Sequence, residues 1–438
     1  MMRRSGFMLV IAMLALAGCD DDDATDPQSQ IGADPVLPEI RQYLSPPMHL
    51  ARIAGWKDGE TPTVPQGLKI EALATGLHNP RALYVLPNGD ILVSEAKAPY
   101  AQPIRRPKDL VMGWVEKMVT SAGKTGSANR ISLLRENPDG QGTSVDVPFI
   151  ENLNSPFGVA LVGNDLYVAQ SGSIVHFPYS EGETHIDAKP AVLTEIPGGP
   201  IDHHWTKSLL ASPNGTKLYV GIGSNSNITE NGMDAEKNRA DILEVDRATG
   251  NFHVFASGLR NPNAMSWEPD SGAMWTVVNE RDEIGPNLVP DYLTSVKEGA
   301  FYGWPYSYYG QHADPRVRPQ RPDMVARAIA PDYALSSHVA PLGLAFAQNS
   351  SLPGKYKAGA FVGEHGSWNR LQFNGYKVVF VPFADGKPAG KAEDVVTGFL
   401  GPDGKARGRP VGLAFDKTGA LLIADDVGGT VWRVSAAQ

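Results

Sequence analysis

One pattern recurs six times along the chain: a short apolar strand, a turn rich in Pro, Asn, Asp and Gly, and a second strand of β-forming residues. The first copy runs from Asn79 through the turn Pro87–Asp90 to the strand Ile91–Glu95. The later copies lie at residues 156–169, 208–220, 261–277, 341–362 and 410–424. Such turn residues between strands form β-hairpins. Because one hairpin cannot bury its apolar face alone, a series of hairpins must stack or close into a ring. The repeat therefore predicts an all-β, six-bladed β-propeller.

Two further segments complete the predicted architecture. The strand Gly429–Val434 is expected to close the ring against the first blade. Residues 107–121 interrupt the β pattern, because Leu110, Trp114 and Met118 recur at helical spacing. We predict an inserted helix near residues 107–121. The sequence leaves open whether this helix caps a site or only packs on the surface.

The N-terminus has the features of a bacterial export signal. Arg3 and Arg4 precede the apolar run Phe7–Leu16, which is too short to span a bilayer as a helix. Residues 16–19, with the sequence LAGC, resemble the bacterial lipobox, in which the signal is removed and the cysteine is lipidated. An ordinary signal peptide with an incidental cysteine is the alternative.

These features divide the chain into three parts. Residues 1–18 are predicted to be a lipoprotein signal peptide, and residues 19–40 a lipidated Cys19 followed by a disordered acidic tether. Residues 41–438 are predicted to be the propeller domain. Asp20, directly after the cysteine, resembles a signal for retention at the inner membrane. We therefore expect a lipid-anchored protein on the periplasmic side of the cell envelope, at the inner rather than the outer membrane.

Composition and motifs exclude several classes of function. The formal net charge of −9 argues against nucleic acid as a partner. Cys19 is the only cysteine, so the chain has neither an internal disulfide nor a CxxCH site for haem attachment. No glycine fingerprint accompanies a βα unit, which argues against NAD or ATP as a ligand.

Six separate segments carry a resemblance to a known family. They are GLRNP at 258–262, VNERDEIGPNLVPDYLTSV at 278–296, FYGWPYSYYG at 301–310, VAPLG at 339–343, GEHGSWNR at 363–370 and GRPVGLAF at 408–415. Together they resemble the sugar dehydrogenases that use pyrroloquinoline quinone (PQQ), and among these the sorbosone dehydrogenase branch. The resemblance extends from about Pro65 to Val434.

The resemblance implies a PQQ- and calcium-dependent oxidoreductase. Such an enzyme would oxidise an aldose or a sorbosone-like sugar by hydride transfer to the quinone. Because the chain has no haem site, the electrons would pass to a separate acceptor, a quinone or a cytochrome. Two other functions remain open for the same fold: a calcium-dependent hydrolase of the lactonase type, and a binding propeller without catalytic activity.

The resemblance also implies a catalytic base. His204 matches the family residue that takes the hydroxyl proton of the substrate, and a histidine accepts a proton near neutral pH. His203 stands where the family has an acidic residue, which is a departure from its pattern. The segment 365–370 falls at the border of the family's cleft. Without the resemblance, both histidines are equally compatible with a polar loop.

Three arginines match cofactor-binding positions of the family. Arg260 and Asn261 match the pair at the quinone oxygens, where Arg260 would stabilise the developing charge. Arg407 and Arg409 resemble the carboxylate-binding Arg-x-Arg, and guanidinium groups bind carboxylates through two parallel donors. Asn154 also falls at a cofactor-binding segment. Taken alone, isolated arginines of this kind are usually solvated surface residues.

A calcium site is the last element that the resemblance implies. Glu280, Arg281 and Asp282 lie in the loop whose backbone carbonyls, together with PQQ, would hold the ion. Oxygen ligands suit this hard cation. A turn with ordinary surface charges is the alternative interpretation of the same residues.

Overall fold

A computed structural model describes residues 25–43, 47–99, 127–137, 142–348 and 350–437. These residues form six sheets of four or five strands and one two-stranded hairpin. The six sheets follow one another along the chain as the blades of a propeller, which confirms the predicted all-β fold. The predicted signal peptide, Cys19 and the predicted helix at 107–121 lie outside the described residues.

Each blade has four main strands. The first blade contains Pro80–Val85, Ile91–Glu95, Arg130–Glu136 and Thr143–Ile150; the second Val159–Val162, Asp165–Gln170, Ser173–Pro178 and Ala191–Glu195; the third Lys207–Ala211, Lys217–Ile222, Asp241–Asp246 and Phe252–Ser257. The fourth contains Pro262–Trp267, Met274–Val278, Pro290–Ser295 and Tyr333–Ser337; the fifth Pro341–Phe346, Gly359–Glu364, Lys377–Ala384 and Glu393–Val396; the sixth Pro410–Phe415, Leu421–Asp425, Thr430–Ala436 and Leu68–Ala74.

The remaining elements are short. They are the strands Ile31–Gly32 and Lys387–Pro388, the hairpin Ser307–Tyr308 with His312–Ala313, the helix Pro322–Val325, and the 3₁₀ turns Pro27–Gln30, Met233–Glu236 and Gly354–Tyr356. Within the described ranges, no helix is long and apolar enough to cross a membrane.

The first strand of each blade lines a central channel, and glycine allows these inner strands to approach one another closely. A Cβ atom at Gly158 would overlap the backbone of Leu209, and one at Gly343 would overlap the carbonyl of Val411. This contact explains why glycine recurs in the phrases FGVA, LGLA and VGLA of the repeat. The inner strands leave a cavity of about 300 Å³ along the channel.

The hydrophobic core lies between neighbouring blades. Every residue of the second strands Ile91–Glu95 and Gly359–Glu364 is buried, because another blade covers each face of these sheets. Between the fourth and fifth blades, the Trp275 ring meets the rings of Phe346 and Phe383 at centroid distances of 6.4 and 5.0 Å. Packing of this kind replaces the single core of an ordinary two-layer domain.

Strand Leu68–Ala74 closes the ring by pairing antiparallel with Thr430–Ala436. The sequence placed the terminal strand against the first blade. Instead, Thr430–Ala436 is the third strand of the sixth blade. Leu68–Ala74, which precedes the first blade in the sequence, pairs with the outer edge of this strand. This arrangement joins the two ends of the domain within one blade.

The segment before the propeller strands is bound to the fourth blade. Ile31–Gly32 pairs with Tyr333–Ser337, and buried Gln30 donates a hydrogen bond to the carbonyl of Asn287 at 2.5 Å. The disordered tether expected over residues 19–40 therefore differs from the structure from Pro27 onward. Strand addition and a buried amide hold this part of the chain, and composition alone does not reveal such long-range contacts.

Candidate active site

The candidate residues lie in loops on one face of the propeller, the upper face. In every blade the first strand begins, and the second strand ends, at this face, because adjacent strands are antiparallel. The upper face therefore collects the loops that enter each blade and the loops that follow each second strand. His204, Arg260 and Arg409 come from loops entering the third, fourth and sixth blades, and Glu280 from a loop after a second strand.

His204 is held as a neutral imidazole with a defined tautomer. Its Nδ1 lies 2.8 Å from the carbonyl oxygen of Ser224, so Nδ1–H donates and Nε2 keeps its lone pair. Burial lowers the pKa of His204 well below 6.5, and the neighbouring His203 and the charge of Arg260 lower it further. Among the described residues Nε2 makes no hydrogen bond. The side chain can therefore accept a proton at Nε2 near neutral pH.

Asn261 lies beside His204 at the mouth of the channel. A Cβ atom at Gly223 would overlap both the Asn261 amide and the His204 Cβ, so glycine is needed for the two side chains to approach. The buried Oδ1 of Asn261 has no hydrogen-bond partner within the described part of the chain. This oxygen is therefore available to a donor from a bound molecule.

Arg260 binds the loop that follows the second strand of the fourth blade. Its Nη1 donates to the carbonyls of Asn279 and Glu280 at 3.3 and 2.6 Å, and its Nη2 lies 3.3 Å from Asp282 Oδ2. Asn227 accepts the remaining N–H groups through its carbonyl and its side chain. Every donor of this guanidinium thus has an acceptor, and the group is only 3% exposed. The contacts make Arg260 the support of this loop, and its contact with a quinone remains a prediction.

The three predicted calcium-loop residues have different environments. Arg281 is fully buried and binds Glu280, Asp314 and the carbonyl of Pro305, so its side chain ties the loop to the hairpin region. Asp282 contacts His338 Nδ1 at 3.2 Å and Arg260. Although burial alone would raise the pKa of Asp282, the hydrogen bond from His338 and the charge of Arg260 hold it below the usual value.

The loop has oxygen atoms that fit a calcium ion. Glu280 Oε1 and Asn279 Oδ1 are buried and have no hydrogen-bond partner among the residues that the structure describes. No group of three or more His, Cys, Asp or Glu side chains in those residues is arranged to hold a metal. Calcium at this loop would therefore take carbonyl and amide oxygens together with the Glu280 carboxylate, a donor set that this cation accepts.

A second cluster surrounds Arg409 on the other side of the face. Arg409 donates to Tyr376 Oη at 3.1 Å and lies 3.4 Å from His365 Nδ1. His365 Nε2 contacts Asp426 at 3.0 Å, and Arg81 also forms an ion pair with Asp426. Within the described residues, Arg409 has no carboxylate within 4.0 Å. It is therefore a partly exposed cation that can bind an anion.

Charges within this second cluster are well defined. Burial lowers the pKa of His365, which keeps the imidazole neutral near pH 7. Burial alone would raise the pKa of Asp426, but His365 and Arg81 hold it far below its usual value. Asp426 is therefore ionised between Arg81 and Arg409, and the carboxylate of Asp425, whose pKa burial raises to about 6, lies beside the Arg409 backbone.

Arg81 is a residue that sequence reasoning missed. Its guanidinium lies 5.5 Å from the Trp205 ring and 5.9 Å from the Phe157 ring, so it joins the second cluster to the loop of His204. Its place in the repeat could have indicated such a position, because Arg81 is the second residue of the inner strand Pro80–Val85. Asn263 occupies the same place in the fourth blade.

The neighbours of Arg409 explain the spacing of the Arg-x-Arg motif. The backbone N–H of Arg409 donates to Asp425 Oδ1 at 2.7 Å, and Gly408 lies so close to that carboxylate that a Cβ atom would overlap it. Arg407 points to a different region, where it lies 6.0 Å from the Trp56 ring and 3.9 Å from Glu60. The two predicted arginines are therefore not brought together.

Asn154 is also separated from both clusters by its contacts. It is exposed, its N–H donates to Gln170 Oε1 at 2.8 Å, and its carbonyl accepts from Ser171 N at 3.0 Å. These bonds fix the loop that enters the second blade. A role in cofactor binding stays a prediction for this residue.

The chain matches the family model described as TrAA12-like over residues 62–298 and 319–437. It belongs to the TrAA12-like family. This membership confirms the resemblance to the PQQ-dependent sugar dehydrogenases, while the sorbosone branch stays a prediction. An uncharacterised protein of Borreliella burgdorferi is 28% identical over 294 residues, which cover 65% of this chain and 76% of that protein.

Two solved structures have a fold similar to that of this chain. The calcium structure of the Trichoderma reesei family AA12 protein has a TM-score of 0.69 at 19% identity and covers 86% of this chain and 97% of that one. The holo form of the pyranose dehydrogenase PQQ domain from Coprinopsis cinerea has a TM-score of 0.69 at 19% identity, with 88% and 100% coverage. At this identity the similarity shows the shared fold.

The upper face of this TrAA12-like chain also fits PQQ chemically. The cofactor carries three carboxylates, and Arg409 is a cation without a carboxylate partner in the described part of the chain. On the side of His204, the Oδ1 of Asn261 is a buried acceptor without a hydrogen-bond partner in the same residues. Arg409 therefore fits a carboxylate of an anionic ligand on the side of the second cluster.

Proposed function

We propose that this chain is a quinoprotein dehydrogenase that uses PQQ and calcium to oxidise an aldose or a sorbosone-like sugar. One observation carries the proposal: His204 is a neutral imidazole with Nδ1 engaged and Nε2 open, next to Arg260 and Asn261. Family membership supports it, as do the names of two similar proteins, a pyranose dehydrogenase PQQ domain and a calcium structure of family AA12.

Each part of the site would do one task. His204 Nε2 takes the hydroxyl proton of the sugar, while Arg409, oriented by His365 and Tyr376, binds a carboxylate of the cofactor. Arg260 and Asn261 would lie at the quinone end of the ligand, where Arg260, whose donors are all occupied, would act through its charge and keep the loop at Glu280 in place for calcium. PQQ, when bound, supplies the electrophilic carbonyl that receives the hydride.

The proposal extends to the partners of the enzyme. Electrons would leave to a separate acceptor, a quinone or a cytochrome, because the sequence has no haem-attachment motif. A lipid at Cys19 would hold the protein at the periplasmic side of the inner membrane. Membrane fractionation tests this anchor: Cys19→Ser should move the protein out of the membrane fraction or leave it unprocessed, whereas soluble, unlipidated wild type would contradict it.

Reconstitution tests the activity. Apoprotein should reduce an artificial electron dye with an aldose or sorbosone only after PQQ and calcium are both added, and a calcium chelator should remove the activity. Dye reduction without PQQ, or none with any sugar, would contradict the proposal. Hydrolysis of a lactone would instead favour the calcium-dependent hydrolase, and the absence of both activities would favour a binding propeller.

A further inference from the structure

A buried ion network lies directly beneath His204, and the proposed chemistry does not use it. Lys207, the first residue of the third blade, is fully buried and its Nζ lies 3.1 Å from Asp202 Oδ1. Asp202 is 1% exposed and also accepts hydrogen bonds from Ser171 at 2.8 Å and Arg239 at 2.9 Å. Burial lowers the pKa of Lys207 to about 8, so the ammonium is still charged at pH 7.

The network holds the backbone on both sides of the His204 hydrogen bond. Lys207 Nζ donates to the carbonyl of Trp205 at 2.9 Å and contacts that of His204 at 3.4 Å. Arg239 contacts the carbonyl of Gly223 at 3.3 Å, directly before the residue that accepts from His204 Nδ1. One carboxylate, Asp202, thus links the segment that donates this bond to the segment that accepts it.

Stability alone does not account for a lysine at this position. Removing two charges from water is costly, and apolar replacements of buried ion pairs are often neutral or stabilising. His203 stands where the family resemblance implies an acidic residue, and the nearby carboxylate of Asp202 contacts Lys207 and Arg239. The imidazole is therefore oriented by a carbonyl, whose position depends on the network.

We propose that Lys207 and Asp202 are positioning residues that fix the tautomer and the orientation of His204. The ammonium of Lys207 holds the backbone carbonyls of His204 and Trp205. Asp202 connects Lys207 to Arg239. The consequence for the sugar reaction rests on the proposed function, whereas the effect on the imidazole does not.

The test compares Lys207→Met with Lys217→Met. Lys217 lies on the same blade at the opposite end and pairs with Asp246 at 2.8 Å, so its variant also loses a lysine ion pair. Apoprotein labelled with ¹⁵N-histidine reports the tautomer of His204 by long-range NMR, with His204→Gln for assignment. Wild type and Lys217→Met should show protonated Nδ1 and unprotonated Nε2, and Lys207→Met a mixture of tautomers.

Single-turnover kinetics provide the second readout. Reduction of bound PQQ by sugar should be about 10²-fold slower in Lys207→Met, with KM for the sugar nearly unchanged, because small displacements of a catalytic group have effects of this size. Identical NMR signals in Lys207→Met and wild type would overturn the proposal, whatever the rate. A changed tautomer with a wild type that never reduces PQQ would support the positioning role and contradict the dehydrogenase. If Lys207→Met does not fold, Asp202→Asn replaces it, and an unchanged tautomer there would equally overturn the proposal.

Discussion

The two sides of the upper face are built differently. On the side of the third and fourth blades, Arg260 has an acceptor for every N–H group, and His204 is a neutral base with one open nitrogen. On the side of the fifth and sixth blades, Arg409 is partly exposed and has no carboxylate within 4.0 Å among the described residues. We therefore expect the first side to serve proton transfer and the second to bind an anion.

This contrast shows that two arginines of one predicted site can have separate tasks. A guanidinium whose donors are all occupied supports its surroundings, whereas one with free capacity can bind a ligand. The comparison therefore predicts that substitutions on the His204 side change rates, and substitutions on the Arg409 side change affinity.

The largest effect is expected from His204→Gln. Loss of a general base typically lowers a rate by about 10²–10⁴-fold, so PQQ reduction should slow by roughly this factor while PQQ affinity is retained. Stopped-flow absorbance of the PQQ-loaded protein measures the step. His203→Gln is the matched control and should cost less. A large loss in His203→Gln with near-normal reduction in His204→Gln would assign the base to the other histidine.

Arg409→Ala should weaken PQQ binding. A charge-assisted hydrogen bond contributes about 1.5–3 kcal/mol, and the affinity measured by titration of the apoprotein should fall accordingly. Arg407→Ala provides the control, since Arg407 contacts Trp56 and Glu60 and its loss should change affinity little. Equal losses of PQQ affinity in the two variants would contradict a binding role for Arg409 that Arg407 lacks.

A smaller effect is expected from Trp56→Phe. Trp56 Nε1 donates to Asp425 Oδ2 at 2.7 Å, and Asp425 in turn holds the backbone of Arg409. The variant should lose about 1 kcal/mol of unfolding free energy, the usual contribution of one hydrogen bond. Denaturant unfolding measures this loss. PQQ affinity should also fall in this variant. Unchanged affinity would show that Trp56 does not influence ligand binding at Arg409.

The smallest change concerns pH. Because the pKa of His204 lies well below 6.5, the base is already unprotonated at pH 6.5, and raising the pH to 8 gains no further active form. The rate of PQQ reduction should therefore be nearly constant between these values and fall only at lower pH, as His204 becomes protonated. An acid limb centred above pH 6.5 would contradict the neutral base.

The sequence predicts most of the fold because hairpins are local structures. Turn residues and strand formers lie next to each other, so the phrase around Pro87–Asp90 already indicates a blade. It does not reveal the closure of the ring or the binding of residues 27–32 to the fourth blade. Both depend on pairing between segments far apart in the chain.

Motifs in the sequence indicate where His204 and Arg260 lie, and the structure has both in loops that enter blades, whereas their roles stay predictions. Arg81 was missed because its partner Asp426 is 345 residues away. Arg407 and Arg409 show a further limit. Gly408 lies against the Asp425 carboxylate, and the arginines on either side of it contact different regions. Spacing in the sequence does not show which of them faces the site.

The most direct test of the account is single-turnover reduction of the PQQ- and calcium-loaded protein by a sugar, without oxygen and with or without deuterium on the carbon that is oxidised. We predict that the bound PQQ is reduced more slowly by the deuterated sugar, because hydride leaves that carbon as His204 takes the hydroxyl proton. In His204→Gln, PQQ should stay bound and be reduced far more slowly. Failure of every aldose and of sorbosone to reduce the bound quinone, or equal rates in wild type and His204→Gln, would contradict the assignment of sugar oxidation to this face.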